Sequence, residues 1–507
     1  MASYTTYLTF FLSLYLFSFS SLACDHSELP LKAASLGNWL LTEGWMKSSM
    51  FDGIPNKDLL DGTQVQFKST KLQKYLSAEH GGGSIVVANR TKADIWESFK
   101  LWRVNETFYN FRVFNKLFVG LENKGQGKGI VAVSKIPNSP ETFEIIRKDG
   151  DLNQVRLRAP NGLFLQVKSE TEVTADYEGS SWEDEDPSVF EMVVSGAIQG
   201  EYQITNGYGP EKAAQVMRDH WNTYITEDDF KFMSENGLNA VRIPVGWWLA
   251  HDPNPPKPFV GGSLQALDNA FKWAYNHRMK VIVDLHAPRV SQNGYAHSAT
   301  RDGIQEWGES DIPETVSVID FLASRYGTHP SLAAIELMNE PLAPGMPVES
   351  LIKYYQAGYD AVRKYTSTAI VILSNRLGGH QRELLSFAKK LDRVAIDVHY
   401  YNLFWDGYKK FSPQQNIQFV YNQRAANLSA VTTPKGPLSF VGEWVADWEV
   451  KNATKRDLQR FAEAQLKVYK HATFGWAYWA YRCDDCKHWS LRWMIDNGYI
   501  NLQNPEN

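Results

Sequence analysis

Cysteine is scarce in this sequence. The 507 residues contain three cysteines, which excludes a scaffold held together by many disulfides. Two of them, Cys483 and Cys486, form a single CDDC motif with His488 nearby. Such a motif could belong to a redox centre or to half of a zinc site, but no second ligand pair accompanies it and no helix starts at it. A local disulfide that stiffens a loop is the favoured interpretation, and it leaves Cys24 unpaired.

Long basic runs are also missing. The net charge is -5 and the isoelectric point is near 6.2, and no cluster of lysine and arginine is long enough to follow a phosphate backbone. The composition therefore argues against nucleic acid as a partner.

Apolar runs of membrane-spanning length are lacking, and the run that comes nearest lies at the start of the chain. Residues 1–23 have an apolar centre at 7–19 and place Ser21 and Ala23 where a signal peptidase reads small side chains. This pattern predicts a cleaved secretory signal. The alternative is a membrane anchor, for which the run is short and lacks a basic flank. We expect no stable membrane span in the rest of the chain.

Entry into the secretory pathway would expose the chain to glycosylation. The sequence contains four Asn-x-Ser/Thr triplets, which are candidate glycan acceptors: Asn89, Asn105, Asn427 and Asn452. We therefore predict a secreted glycoprotein that acts outside the cell or in the cell wall, with the vacuole as the alternative destination.

Aromatic side chains, in contrast, are abundant. Hydrophobic residues make up 43% of the sequence, aromatic residues 13%, and 17 residues are tryptophan. A chain of this length can bury the core of one barrel of roughly 250 residues with a smaller domain beside it. Flat aromatic rings pack in cores and also stack on sugar rings, so composition leaves both uses open.

Residues 55–197 show almost no helical periodicity and consist of short alternating runs separated by turn residues. Three segments of this region repeat the same order of strands and aromatic positions. The equivalent positions are Tyr75, Phe118 and Phe164, and then Phe99, Phe143 and Phe190. Three copies of a four-strand unit predict a β-trefoil, and the pattern resembles the fascin-like trefoil. Such an insert could be purely structural or could bind carbohydrate or a partner, and we expect it to be separable from the rest of the chain.

On both sides of this insert, amphipathic helices alternate with continuous apolar strands, as in LQALDNAFKWAYNHR followed by KVIVDLHAP. With AASLGNWLLTEGW ahead of the insert, the strands number eight. Apolar strands separated by helices imply a parallel sheet buried on both faces, and eight such units predict an α/β fold of the (β/α)8 TIM-barrel type. We assign residues 24–54 to the first part of the barrel, 55–197 to the trefoil insert after its first strand, and 198–507 to the remainder.

Polar side chains stand at the ends of these strands, where a barrel directs them into one cleft. Glu340 follows the fourth strand in LMNEP, and Glu443 ends the seventh in VGEW. The other strands end in charged, imidazole or aromatic groups: Glu43, Arg242, His286, His399 with Tyr401, and Trp479. A single residue of this kind is usually structural, but agreement between seven strands favours an active-site cleft.

Two carboxylates that face each other across a cleft suit glycoside hydrolysis. One donates a proton to the leaving oxygen while the other attacks or activates water. A separation of about 5 Å gives retention of the anomeric configuration, whereas about 6.5–9.5 Å admits water and gives inversion. The pair also predicts a bell-shaped pH dependence with an acidic optimum and with the higher pKa on the acid.

Seven motifs occur in the order GNWLLTEGW, VRIPVGWW, DLHAPRVSQNG, LMNEP, DVHYYN, VGEW and GWAYWAYR. Together they resemble glycoside hydrolase family 5 of clan A, and within it the plant type of the exo-β-1,3-glucanase and β-glucosidase branch, which carries the inserted trefoil. The resemblance implies a retaining hydrolase that cleaves β-glucosidic bonds from chain ends by double displacement and needs no cofactor. It also implies Glu340 as acid/base and Glu443 as nucleophile.

The resemblance implies roles for the other residues at the strand ends. Asn339 would bond the sugar 2-hydroxyl, and Arg242 with Tyr401 would keep the nucleophile ionised. The remaining residues would bind the terminal sugar, three through its hydroxyls and one as a platform: Glu43, His286, His399 and Trp479. One departure is that Ala-Pro-Arg-Val follows His286 where this branch usually has Gly-Ala-Pro-Gly, so we expect a different pocket beyond it.

Three alternatives remain open. A broad β-glucosidase or transglucosidase would differ in loop shape, and a carbohydrate-binding protein without catalysis would not keep both carboxylates. A metal hydrolase on the same barrel would need carboxylates that match His286 and His399. We expect no metal, a monomer, and a β-glucan, oligosaccharide or β-glucoside as the substrate.

Overall fold

The structure, a computed structural model, describes residues 29–503, so the secretory signal and Cys24 lie outside the described residues. Within residues 29–503, eight parallel strands close into a barrel in the order in which they occur along the chain. They are β1 (Leu31–Ser35), β14 (Ala240–Gly246), β15 (Lys280–Ala287), β16 (Leu332–Glu336), β17 (Ile370–Ser374), β18 (Val394–Tyr400), β19 (Leu438–Trp444) and β20 (Gly475–Trp479). The predicted TIM barrel is confirmed.

Helices surround the barrel and bury its outer face. Between the barrel strands lie α2 (Glu201–Tyr208), α3 (Pro210–Thr223), α4 (Glu227–Glu235), α5 (Ser263–Asn276), α6 (Ile312–Tyr326), α7 (Val348–Arg363), α8 (Leu385–Ala388), α9 (Asp406–Lys410), α10 (Pro413–Phe419), α11 (Ala425–Val431) and α12 (Lys455–Tyr469), and α13 (Leu491–Asp496) follows the last strand. Capping side chains fix some of the helix starts. In α12, the Thr454 hydroxyl accepts a hydrogen bond from the Asp457 N–H at 3.2 Å and caps the first turn. Every position of β14, β16 and β17 is buried, as expected for strands covered on both faces.

The insert between β1 and β14 is all-β apart from three short helical turns, which are α1 (Glu122–Gly125) and the 3-10 turns Glu79–Gly81 and Ser139–Glu141. Its strands are β2 (Gln64–Ser69), β3 (Tyr75–Ala78), β4 (Val86–Arg90), β5 (Phe99–Arg103), β6 (Phe108–Arg112), β7 (Phe118–Leu121), β8 (Ile130–Ser134), β9 (Thr142–Lys148), β10 (Asp151–Arg158), β11 (Phe164–Ser169), β12 (Glu172–Tyr177) and β13 (Phe190–Gly196). Strands β2, β5, β6, β9, β10 and β13 pair in a closed ring, and three hairpins, β3–β4, β7–β8 and β11–β12, extend from it.

Repeated phenylalanines form the core of the insert. Phe67 and Phe111 lie at its centre with ring centroids 5.5 Å apart. Phe99, Phe143 and Phe190, which the repeats made equivalent, are buried around them. The insert thus has an apolar core of its own, separate from that of the barrel.

The two segments that connect the barrel to the insert lie next to each other. The Gly44 N–H donates to the Gln199 carbonyl at 2.8 Å, and Glu43 pairs with Gly200 in an antiparallel bridge. No helix within residues 29–503 has the length and apolar character that crossing a bilayer requires.

Candidate active site

A cavity of about 770 Å³ opens at the carboxyl ends of the barrel strands. Seven of the nine predicted site residues line it: Glu43, His286, Glu340, His399, Tyr401, Glu443 and Trp479. The other two, Arg242 and Asn339, are fully buried and bonded to the residues that form its floor. The fold therefore brings the predicted set together, as expected for the carboxyl end of a TIM barrel.

Glu340 lies in a turn and not in a strand. Strand β16 ends at Glu336, and Glu340 adopts a left-handed backbone conformation with φ of +45° directly before Pro341. This conformation is uncommon for residues other than glycine, and at an active site it can position a side chain. Two side chains hold it: the Glu340 N–H lies 3.3 Å from Ser374 Oγ, and the Glu340 carbonyl accepts from Asn293 Nδ2 at 3.1 Å.

Two histidines hold the Glu340 carboxylate. Its Oε1 lies 2.7 Å from His399 Nδ1 and its Oε2 lies 3.2 Å from His297 Nε2. His297 was not predicted from the sequence. It stands in the loop after β15, and the sequence offered a signal for it, because every loop at the carboxyl end of a barrel can reach the cleft and this one carries a histidine between Ala296 and Ser298.

The charges around Glu340 determine its protonation. Burial alone raises the pKa of Glu340, but the hydrogen bonds and charges of His297 and His399 outweigh burial and hold this pKa well below the usual range of a glutamate. Burial alone lowers the pKa of His399, but Glu443 and Asp397 raise it well above that of a free imidazole. The expectation that the acid has the higher pKa of the two carboxyl groups finds no support in this arrangement.

Glu443 lies at the end of β19 between two donors. Arg242 Nη1 donates to its Oε1 at 2.9 Å, and Tyr401 Oη donates to its Oε2 at 2.7 Å. Burial, together with the neighbouring Glu443, raises the pKa of Tyr401 well above its usual value, so the phenol remains a donor. These bonds stabilise a negative charge on Glu443 and fix the direction of its free lone pairs.

The two glutamates face each other at short range. One carboxylate oxygen of Glu340, one of Glu443 and a ring nitrogen of His399 all lie within 4.8 Å of one another. The two carboxylates are therefore close enough to act on the same glycosidic bond, one from each side.

Three further carboxylates, which sequence analysis did not identify, lie inside the barrel below this pair. Asp284, Glu336 and Asp397 are fully buried. Arg242 bonds Glu336 at 2.8 Å and lies 3.1 Å from Asp284. They are interior positions of apolar strands, where a single acidic residue gives no periodic signal.

These carboxylates also correct the sequence argument about metals. That argument held that no carboxylates match the histidines, but Glu336 and Asp397 come within metal-binding reach of His399, as do Glu340 and Glu443. Their atoms already have protein partners: His399 Nε2 lies 2.8 Å from Asp397, and its Nδ1 lies 2.7 Å from Glu340. Glu336 Oε1 is buried without a hydrogen-bond partner among residues 29–503, and the other groups are linked by hydrogen bonds and opposite charges.

Asn339 is engaged at both ends of its amide. Its Oδ1 accepts from Arg242 Nη2 at 2.8 Å, and its Nδ2 lies 3.2 Å from His286 Nε2. His286 Nδ1 in turn lies 2.5 Å from Asp284. The Asn339 amide is thereby held between Arg242 and His286 beneath the cavity.

Glu43 lies in the loop beyond β1, not at the strand end, which corrects its predicted position. Its Oε2 accepts from Trp45 Nε1 at 2.9 Å, and its buried Oε1 has no partner among residues 29–503. Burial raises the pKa of Glu43, and His297 and His286 partly oppose this. A buried oxygen without a partner at a cavity wall suits a sugar hydroxyl.

Aromatic rings form much of the cavity wall. Trp479 packs flat against His286 with ring centroids 5.4 Å apart. The loop after it contains a Cys483–Cys486 disulfide, and Cys483 packs with Trp479 and Met46. Four aromatic residues around the cavity were not predicted, because they stand in loops and not at strand ends: Trp45, Tyr295, Phe404 and Trp489.

Comparison with known proteins agrees with this geometry. Residues 205–485, more than half of the chain, match the model of the family described as cellulase, glycosyl hydrolase family 5. The chain belongs to glycosyl hydrolase family 5. It is therefore a glycoside hydrolase, and both glutamates of the cleft fall within the matched residues. Residues 56–195 match a domain of unknown function, DUF7910, which coincides with the insert of this family 5 enzyme.

Curated relatives and solved structures extend the comparison. The family 5 chain is 31% identical to a glucan 1,3-beta-glucosidase of Yarrowia lipolytica over 62% of its own length and 83% of the relative. It is 31% identical to a probable glucan 1,3-beta-glucosidase A of Emericella nidulans over 62% and 85%. Among solved structures, rutinosidase from Aspergillus niger superposes with a TM-score of 0.52 at 19% identity over 60% of this chain and 90% of that one. This last likeness concerns the fold.

Proposed function

We propose that this family 5 enzyme is a retaining, exo-acting β-glucosidase of the glucan 1,3-β-glucosidase type. The observation that carries the proposal is the spacing of the glutamates, whose nearest oxygens lie within 4.8 Å. This upper bound lies below the about 6.5–9.5 Å that inverting enzymes need for a water, and it fits the about 5 Å of retaining enzymes. The names of the curated relatives support the β-1,3-glucoside as substrate.

In the proposed mechanism Glu443 is the nucleophile. Its Oε2 attacks the anomeric carbon while the bond to the leaving oxygen breaks and Glu340 gives that oxygen a proton. A glycosyl ester on Glu443 results. Glu340, now ionised, takes a proton from a water molecule, the water oxygen attacks the same carbon, and Glu443 leaves as a carboxylate.

Neighbouring side chains support both steps. Arg242 and Tyr401 stabilise Glu443 each time it regains its charge. We assign the Asn339 amide to the sugar 2-hydroxyl. We assign binding of the terminal sugar to the cavity-lining residues Glu43, His286, His399 and Trp479.

Transfer to a second sugar is the alternative outcome of the same intermediate. Exposed aromatic rings at the cavity, with Phe404 80% and Tyr295 47% exposed, offer flat faces on which an acceptor sugar can stack. Sizing the products from β-glucans, oligosaccharides and aryl glucosides at rising acceptor concentration separates hydrolysis from transfer.

We further propose that the insert is a fascin-like β-trefoil and that the enzyme is a secreted, monomeric glycoprotein. A ring of six strands with three hairpins supports the trefoil. Secretion is supported by the four glycosylation triplets, of which Asn105 and Asn452 are exposed and Asn89 and Asn427 are half-buried.

The roles of the two glutamates are tested by Glu340→Gln and Glu443→Gln. Both variants should lose turnover of natural β-glucosides. A dinitrophenyl glucoside needs little protonation, so Glu340→Gln should still form the glycosyl enzyme and yield a glucosyl azide when azide is added. Glu443→Gln should yield none. Identical behaviour of the two variants with the activated substrate contradicts the assignment.

A further inference from the structure

The loop between β15 and α6, residues 288–311, belongs to both the active site and the domain boundary. On one side it carries Tyr295 and His297, which line the catalytic cavity. His297 Nε2 lies 3.2 Å from the Glu340 carboxylate. Five residues later the same loop reaches the insert through Asp302. We call it the β15–α6 loop.

Asp302 is held by three side chains of the insert. Its Oδ2 accepts from Arg112 Nη1 and from Trp102 Nε1, both at 2.7 Å, and its carbonyl accepts from Lys100 Nζ at 2.6 Å. Asp302 is 2% exposed and Arg112 is 7% exposed. A buried carboxylate with charge-assisted bonds to two neighbours is strongly fixed in position.

The residues beside Asp302 strengthen this attachment. Arg112 also bonds Glu306 at 2.8 Å. The Arg301 guanidinium lies 3.9 Å from the centre of the Trp102 ring, and its Nε bonds Asp61 at 2.8 Å. The β15–α6 loop is thus attached to the insert through several neighbouring positions.

The path from Asp302 to His297 is short and hydrogen-bonded. Gln203 Nε2 donates to the carbonyls of Thr300 and Arg301 at 2.9 Å. The Ser298 hydroxyl donates to the Tyr295 carbonyl at 2.7 Å, which closes the turn that carries His297. Gln203 of α2 thus holds the middle of this stretch from the barrel side. Only four residues separate His297 from Asp302, so the position of Asp302 constrains the turn that presents His297.

We propose that the insert positions the catalytic acid: Lys100, Trp102 and Arg112 hold Asp302, and Asp302 fixes the β15–α6 loop so that His297 stays against Glu340. This inference rests on the proposed role of Glu340 as acid/base. Lys100, Trp102, Arg112 and Asp302 are then positioning residues. The domain of unknown function thereby takes part in catalysis. The expectation that the insert is separable from the barrel stays a prediction, and this proposal is the alternative to it.

Several charged groups share this space. Glu340 is faced by His297, His399, Glu443 and Tyr401, and His297 is faced in addition by Tyr295, Glu43 and His286. Of the groups that face Glu340, only His297 comes from the loop that the insert holds. Loosening the loop should therefore weaken the contact of Glu340 with His297 and leave its contact with His399 in place.

The test compares Arg112→Gln in the full-length enzyme with wild type. For an alkyl β-glucoside, which needs protonation of its leaving oxygen, we expect kcat/KM to fall about 10- to 100-fold, because a misplacement of about 1 Å costs on the order of 100-fold. For a dinitrophenyl β-glucoside, kcat/KM should stay near wild type. The alkaline limb of the pH profile should move to higher pH, because Glu340 loses a neighbouring positive charge. In a His297→Asn background, Arg112→Gln should cause no further shift.

Arg156→Gln is the matched control. Arg156 forms an equally buried pair with Asp186 at 2.9 Å inside the insert, so its loss disturbs the insert without touching the β15–α6 loop. If Arg112→Gln does not fold, Trp102→Phe, which keeps an aromatic ring but removes the N–H donor and part of the indole surface under Arg301, should show a smaller effect in the same direction. The proposal is overturned if the Arg112 or Trp102 variant behaves like Arg156→Gln, or if both substrates lose activity equally. A wild type without β-glucosidase activity would instead refute the proposed function.

Discussion

Glu340 is the proposed general acid, but its surroundings favour the ionised form of its carboxyl group. In the proposed mechanism Glu340 gives a proton to the leaving oxygen, yet His297 and His399 hold its pKa well below the usual range. Because its pKa is lowered, Glu340 is protonated only at acidic pH. The enzyme should therefore have an acidic optimum, and its activity should begin to fall at a pH that is still acidic. The positive charges that cause this are those of the two histidines.

His297→Asn tests this at the level of one residue. Removing the cation beside Glu340 raises the pKa of Glu340, so the carboxyl stays protonated to higher pH and the alkaline limb of kcat/KM moves upward. The profile is measured with an alkyl β-glucoside. His471→Asn, the same substitution at an exposed histidine, should leave the limb unchanged. A limb that stays or moves downward in His297→Asn would contradict the assigned contact.

Metal removal is a second test at this scale. The carboxylates around His399 are bonded to Arg242, Tyr401 and the histidines themselves, so no ion is needed to hold them together. Prolonged dialysis against EDTA should therefore leave kcat/KM and the melting temperature unchanged. Loss of activity that returns on adding a divalent ion would favour the metal-hydrolase alternative.

At the scale of elements, the sequence predicted the strands and the aromatic repeats, which are periodic, and missed functional residues that stand singly in loops. The eight apolar strands and the three aromatic repeats are periodic, and burial of apolar side chains explains both patterns. Glu340 and Glu443 were found because parallel strands of a barrel end at one face. His297 and Phe404 stand in loops whose paths depend on contacts far away in sequence, and no local pattern encodes those paths.

Helix α2 shows what sequence patterns omit. Glu201, its first residue, is fully buried, and its Oε2 accepts from the backbone N–H of Thr42 at 2.9 Å and from the Thr42 hydroxyl at 2.5 Å. It thereby fixes the residue before Glu43. Burial raises the pKa of Glu201 to about 7, and the two bonds from Thr42 only partly oppose this.

This shift predicts a pH dependence of stability. Between an unfolded pKa of about 4.5 and a folded pKa of about 7, the folded chain holds a proton that the unfolded chain has lost, so stability falls as pH rises through this range. The full effect is about 3 kcal/mol as an upper value. Glu201→Gln, which cannot ionise, should flatten the dependence measured by urea unfolding between pH 5 and 8. An unchanged slope in this variant would show that another group causes it.

At the scale of the whole molecule, the insert and the barrel meet beside the active site. The insert has its own apolar core, yet Arg112 forms a buried ion pair with Asp302 of the barrel. The chain that returns from the insert also pairs with Glu43 through Gly200. Two loops of the catalytic cavity are therefore held from this side: the β15–α6 loop by the insert itself, and the loop that carries Glu43 by the chain that follows the insert.

The stereochemistry of the first product tests the central claim most directly. Proton NMR during hydrolysis of an aryl β-glucoside, recorded before mutarotation, shows which anomer of glucose the enzyme releases. One oxygen of Glu340 lies within 4.8 Å of one oxygen of Glu443, a separation that suits double displacement, so the account predicts that β-glucose appears first and α-glucose only later. Initial release of α-glucose would mean that water attacks directly, and the assignment of Glu443 as nucleophile would be contradicted.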